Sequence, residues 1–156
     1  IGFTGHKHPA FLRAMLDRPF DWDACQMPIN VLDASYRSFQ REVVPECLRQ
    51  QVGILGMKGL GGPEATMVTS GVVSAEEAYR YALSQPVATQ VVGMKTPQHL
   101  AQNLKVARTL VPLTAAEQEA LVSRVAEAAR DGRHEPFKST TEYDGPHHRR
   151  QHGFAA

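Results

Sequence analysis

Two lysines stand at matching places in this chain. Lys58 closes the run Val52-Gly53-Ile54-Leu55-Gly56-Met57, and Lys95 closes Thr89-Gln90-Val91-Val92-Gly93-Met94. Each follows a short apolar stretch bounded by glycine, the pattern of a strand buried on both faces in a parallel sheet. Side chains just past the carboxyl ends of such strands sit where α/β proteins place their ligands. After Lys58 the chain continues Gly59-Leu60-Gly61-Gly62, and after Lys95 it continues Thr96-Pro97, a helix start. A cation, a glycine-rich backbone and a helix N-terminus together suit an anion.

Other chemistry-bearing residues are less ordered. His6 and His8 flank Lys7 at a strand end, but no Cys or carboxylate stands at metal-ligand spacing, so no metal site is expected there. His147, His148 and His152 lie in a basic tail. Cys25 and Cys47 lack CxxC spacing and read as reduced, buried thiols.

The elements that must position these residues alternate. Strands are expected at Ile1 to Thr4, Ala24 to Met27 (cut off by Pro28), Val52 to Met57 and Thr89 to Val92. Between them, Pro9 opens a helix to Leu16, and a second helix runs through Val43, Val44, Cys47 and Leu48, with Pro45 starting its well-formed part. Ser74-Ala75-Glu76-Glu77 is a capping box for a helix that buries Ala78, Tyr81 and Ala82. Thr96-Pro97 starts a helix with the stripe Leu100, Leu104 and Ala107. Thr114-Ala115-Ala116-Glu117 caps an added helix with Leu121, Val125 and Ala128 on its inner face. Residues 1–131 therefore form one unit, and residues 132–156 read as an irregular C-terminal tail, mobile around Pro146 to His152. The order βαβαβαβα fits an open doubly wound sheet or half of an eight-stranded barrel. A whole barrel needs about 250 residues.

The 156 residues carry 42% hydrophobic and 21% charged side chains with a net charge of +1, a globular composition and no case for nucleic-acid binding. No run approaches the ~18 apolar residues of a membrane span, and no signal peptide opens the chain, so a cytoplasmic protein is expected. A chain that starts inside a strand at Ile1 reads as a piece of something longer.

The segments Ile1-Gly2-Phe3-Thr4-Gly5-His6-Lys7-His8-Pro9, Gln26-Met27-Pro28-Ile29-Asn30-Val31 and Gly53-Ile54-Leu55-Gly56-Met57-Lys58, in that order and spacing, resemble the second half of an aldo/keto reductase. The Gly-Met-Lys form is similar to a bacterial-type branch of predicted oxidoreductases. The resemblance implies a (β/α)8 TIM barrel of which this chain supplies the C-terminal half, strands five to eight, with an added C-terminal helix. It also implies a nicotinamide cofactor, NADP with NAD as the alternative, and a small-molecule carbonyl substrate. By position, Thr4, Gly5 and Gln26 would hold the carboxamide, and Met57 would lie against the nicotinamide. Lys58, Gly59, Leu60 and Gly61 would wrap the pyrophosphate. Gly93, Met94, Lys95, Thr96, His99, Gln102 and Asn103 would take the adenosine end.

The family's catalytic Asp, Tyr, Lys and His stand in its N-terminal half, which becomes the expected partner. No catalytic residue is assigned here, and Tyr36 and Lys58 are not substitutes. Two rivals stand beside this reading. One is a non-enzymatic half-barrel that binds a phosphate ligand or serves assembly. The other is a different barrel enzyme with a phosphate site after its last strands.

Overall fold

In the computed structural model, residues 1–141, 145, 146 and 150 are described. Four parallel strands form one sheet in the order β1 (Gly2–Thr4), β2 (Ala24–Pro28), β3 (Gly53–Met57) and β4 (Thr89–Gln90). Each strand pairs with the next in sequence. A doubly wound sheet reverses its strand order at a switch point, whereas a barrel steps in one direction only. The order here steps in one direction only, as it does in a barrel.

Local signals explain most helices. Pro9 begins α1 (Pro9–Leu16), and the His8 imidazole accepts from the Ala10 N–H to cap it. The expected break before Pro45 separates α2 (Phe39–Glu42) from α3 (Val44–Arg49). After β3 the chain makes a 3-10 turn (Pro63–Ala65) and α4 (Thr66–Thr69). Both capping boxes form, Ser74 with Glu77 on α5 (Ala75–Leu83) and Thr114 with Glu117 on α7 (Ala115–Ala129). Thr96 caps α6 (Pro97–Arg108).

Side chains alternate across the strands. Cys25, Met27 and Ile54 are buried in a core with Leu12, Phe39 and Cys47. The Cys25 and Cys47 thiols share a hydrogen bond there, which with burial raises the Cys25 pKa. The opposite row, Thr4, Gln26, Leu55 and Thr89 in register, runs from half-buried to exposed. A second core joins α5 and α7 through Ala78, Tyr81, Leu121 and Val125.

Four details depart from the sequence expectation. Pro28 lies inside β2, paired with Met57, because at a strand end its missing N–H costs no ladder bond. β4 keeps only two residues, although the Val91 N–H still donates to the Gly56 carbonyl at 2.7 Å. The stripe of α6 faces outward, with Leu100 and Leu104 44% and 41% exposed, while Val106 is buried. On α7 the buried residue of the last turn is Ala129, one position beyond Ala128.

Past Gly132 a further turn, α8 (Pro136–Ser139), buries Glu135, Phe137 and Lys138. The reading of 132–156 as irregular leaves out this turn. The tail around Pro146 to His152 falls largely outside the described residues.

Candidate functional site

A cleft of about 700 Å³ opens between the loop that follows β3 and the start of α6. Nine of the expected residues line it: Lys58, Gly59, Leu60, Gly61, Gly93, Lys95, His99, Gln102 and Asn103. The other six do not. Thr4 and Gly5 lie at the end of β1 beside Gln26 in the middle of β2, where the Thr4 hydroxyl donates to Gln26 Oε1 at 3.3 Å and the Gly5 N–H to the Gln26 carbonyl at 3.2 Å. A Cβ on Gly5 would come within 2.8 Å of Leu12 Cδ2, so packing against α1 already accounts for glycine there. Met57 ends β3 half-buried, and its carbonyl accepts from the Ile29 N–H. Met94 is half exposed, and the Thr96 hydroxyl is engaged as the cap of α6.

Lys58 has a left-handed backbone, φ 55°, uncommon for a residue with a side chain. Its ammonium lies over the Phe137 ring at 4.7 Å, a cation–π contact, and burial lowers its pKa. On the opposite lip, Lys95 Nζ meets Glu64 Oε1 at 3.2 Å across the mouth of the cleft. Both partners are exposed, so this ion pair is a weak latch. The His99 Nδ1 accepts from the Lys95 N–H.

Beneath the glycine loop lie Tyr79 and Gln90, polar residues that sequence reasoning did not pick out. Burial raises the Tyr79 phenol pKa. Among the described residues, Asn103 Nδ2 and both amide atoms of Gln90 are buried without a hydrogen-bond partner. Such groups cost stability unless a ligand or water completes them. Gly59 packs against the Tyr79 ring and the Gln90 amide, where a Cβ would stand 3.3 Å and 3.0 Å away. Nothing lies within 4 Å of the Cβ position of Gly93, which leaves the backbone there open to a ligand.

Beside the cleft is a fully buried charge cluster. Lys138 Nζ donates to Asp33 Oδ1 at 2.6 Å, to the Tyr36 carbonyl at 2.9 Å and to Glu135 Oε2 at 3.0 Å. Asn30 Nδ2 donates to Glu135 Oε1 at 2.9 Å and to the Lys58 carbonyl at 3.3 Å. Burial raises the Glu135 pKa, against the pull of Lys138. Tyr36 packs its ring on Gly132. The only sequence signal for this cluster was the i, i+3 spacing of Glu135 and Lys138, which usually marks a solvated ion pair. His6 stacks edge-on against Phe137 at 5.7 Å. Among the described residues no group of three His, Cys, Asp or Glu side chains could hold a metal, and no helix is long and apolar enough to cross a membrane.

No family model and no curated protein matches the sequence. Among solved structures the fold is similar to that of aldo-keto reductase AKR11C1 from Bacillus halodurans (holo form), with a TM-score of 0.58 at 19% identity over 85% of this chain. The match takes in 52% of that reductase, so the chain spans about half its length.

Proposed function

We propose that this chain is the dinucleotide-binding half of an NADP-dependent aldo/keto reductase, supplying strands five to eight of a (β/α)8 barrel. NAD is the alternative cofactor, and a further half with the catalytic groups is the partner. The observation that carries the reading is the cleft itself. It places the glycine loop, two cations and an orphan amide of Asn103 along one opening of about 700 Å³.

These residues fit the adenosine and pyrophosphate part of a dinucleotide. Gly93 leaves room for close approach, Asn103 has a donor to give, and Lys95 is exposed beside the N-terminus of α6. The nicotinamide end fits less fully, because Gly5 offers no side chain and Met57 offers no ring face. When bound, the cofactor would supply hydride for reduction of a carbonyl substrate, and this chain's part is to bind and orient it.

The test is a fluorescence titration of NADPH and NADH against the wild-type chain and two variants. Lys58→Ala should weaken both cofactors about equally. Lys95→Ala removes a charge-assisted contact to a 2′-phosphate worth about 1.5–3 kcal/mol. NADPH should therefore lose roughly ten- to a hundredfold in affinity while NADH is nearly unchanged. An unaltered NADPH/NADH ratio in Lys95→Ala would place the adenosine end elsewhere.

A further inference from the structure

The left-handed Lys58 begins the loop that lines the cleft, and an L-residue stays in that region only when its surroundings hold it there. Two donors reach its carbonyl. One is the Gly61 N–H at 2.9 Å, inside the loop, and the other is Asn30 Nδ2 at 3.3 Å, from the segment after β2. Asn30 is fully buried, and its chemistry admits one orientation only. Its Oδ1 already accepts from the N–H groups of Leu32 at 2.9 Å and Asp33 at 3.0 Å. The amide NH2 must then face acceptors, and it meets two, the Lys58 carbonyl and Glu135 Oε1. The far end of the loop rests on the same C-terminal segment. The His134 carbonyl accepts from the Thr66 hydroxyl at 2.7 Å and from the Gly62 N–H at 3.4 Å. The Pro136 ring lies so close to Gly62 that a Cβ there would come within 2.9 Å.

We propose that Asn30 is the positioning residue of the loop from Lys58 to Gly62, with the segment from His134 to Lys138 as its support. It does not touch the ligand. Resting on the reading above, its task is to aim the loop's backbone at the pyrophosphate of a dinucleotide.

A residue that only tied down its own turn at Leu32 and Asp33 would leave the glycine loop as it is. The distinguishing experiment is amide hydrogen exchange of Gly61 and Gly62 in the full chain, with Val125 of α7 as internal reference. Asn30→Ala and the isosteric Asn30→Asp, which turns a carboxylate oxygen toward two acceptors, should speed loop exchange at least tenfold and leave Val125 unchanged. Thr66→Val is the milder variant if both fail to fold, and it should speed exchange at Gly62. In the same proteins NADPH affinity should fall at least tenfold, while 2′-AMP, which lacks the pyrophosphate, should bind as in wild type.

Unchanged loop exchange in the folded Asn30 variants, or in Thr66→Val where they do not fold, overturns the proposal, as does an equal loss of both ligands. If the wild-type chain binds neither ligand, the functional reading fails, and the exchange data alone decide the positioning role.

Discussion

Replacing Lys138 by methionine keeps most of the side chain's volume and removes one charge. That charge sits between Asp33 and Glu135, and all three side chains are shut off from solvent. Methionine leaves two carboxylates facing each other in the interior. Breaking a buried pair in this way costs about 3–5 kcal/mol, chiefly the penalty of the stranded charges. For a chain of this size that corresponds to a fall in Tm of roughly 6–20 °C. Guanidinium unfolding followed by the fluorescence of Trp22, the single tryptophan, reads the change. The double variant Glu135→Leu with Lys138→Met should be less destabilised than Lys138→Met alone. It leaves Asp33 as the one stranded charge, with donors from the Phe39 and Gln40 N–H groups and the Ser38 hydroxyl, and the Asn30 amide keeps the Lys58 carbonyl as an acceptor. A loss below about 1 kcal/mol for Lys138→Met would refute the picture of a desolvated cluster, since surface ion pairs have that value.

The raised pKa of Glu135 gives a pH signature. Stability contributed by a carboxyl raised on folding is fully present below its unfolded pKa and lost as pH rises through its folded value. The stability of wild type relative to Glu135→Gln should therefore decline as pH is raised from 4 toward neutrality, and a flat difference would contradict the effect of burial on this carboxyl. Gly132→Ala combines a φ of +72° with a Cβ 2.6 Å from the Tyr36 ring, so denaturant unfolding should show a loss of about 1–3 kcal/mol, and a neutral result would mean that Tyr36 moves aside freely. The outward apolar stripe of α6 should make the chain self-associate, and sedimentation of Leu100→Glu with Leu104→Glu should shift it toward monomer. A wild-type chain monomeric at every concentration would remove that expectation.

The parts of the fold that were legible in the sequence are those decided locally. The capping boxes at Ser74 and Thr114, the proline starts of α1 and α6 and the break at Pro45 depend on neighbours within four residues, and each forms where its pattern stands. The cleft was half legible, because lysine and glycine at two strand ends are a local pattern and nine expected residues meet there. Its floor was not, since nothing near Tyr79 or Gln90 in sequence says that they lie beneath Gly59. The stripe of α6 misled because periodicity reports an apolar face without reporting what covers it. The C-terminal turn misled for the opposite reason. Glu135 and Lys138 look like solvated charges until Asp33, distant in sequence, is placed against them.

That separation bears on the order in which the molecule is built. Lys138 meets Asp33 across 105 residues, and Asn30 meets Glu135 across the same span. Closing so long a loop costs about 4 kcal/mol of chain entropy before any contact repays it. During synthesis β1, β2 and β3 emerge and can pair while residues 134–138 are still to come. The glycine loop at the end of β3 thus waits for the last stretch of the described chain to brace its far end at Gly62 and Thr66, and its final shape arrives by long-range closure after the sheet it stands on. The same dependence runs backwards: a release of α8 loosens the loop first and leaves the sheet in place.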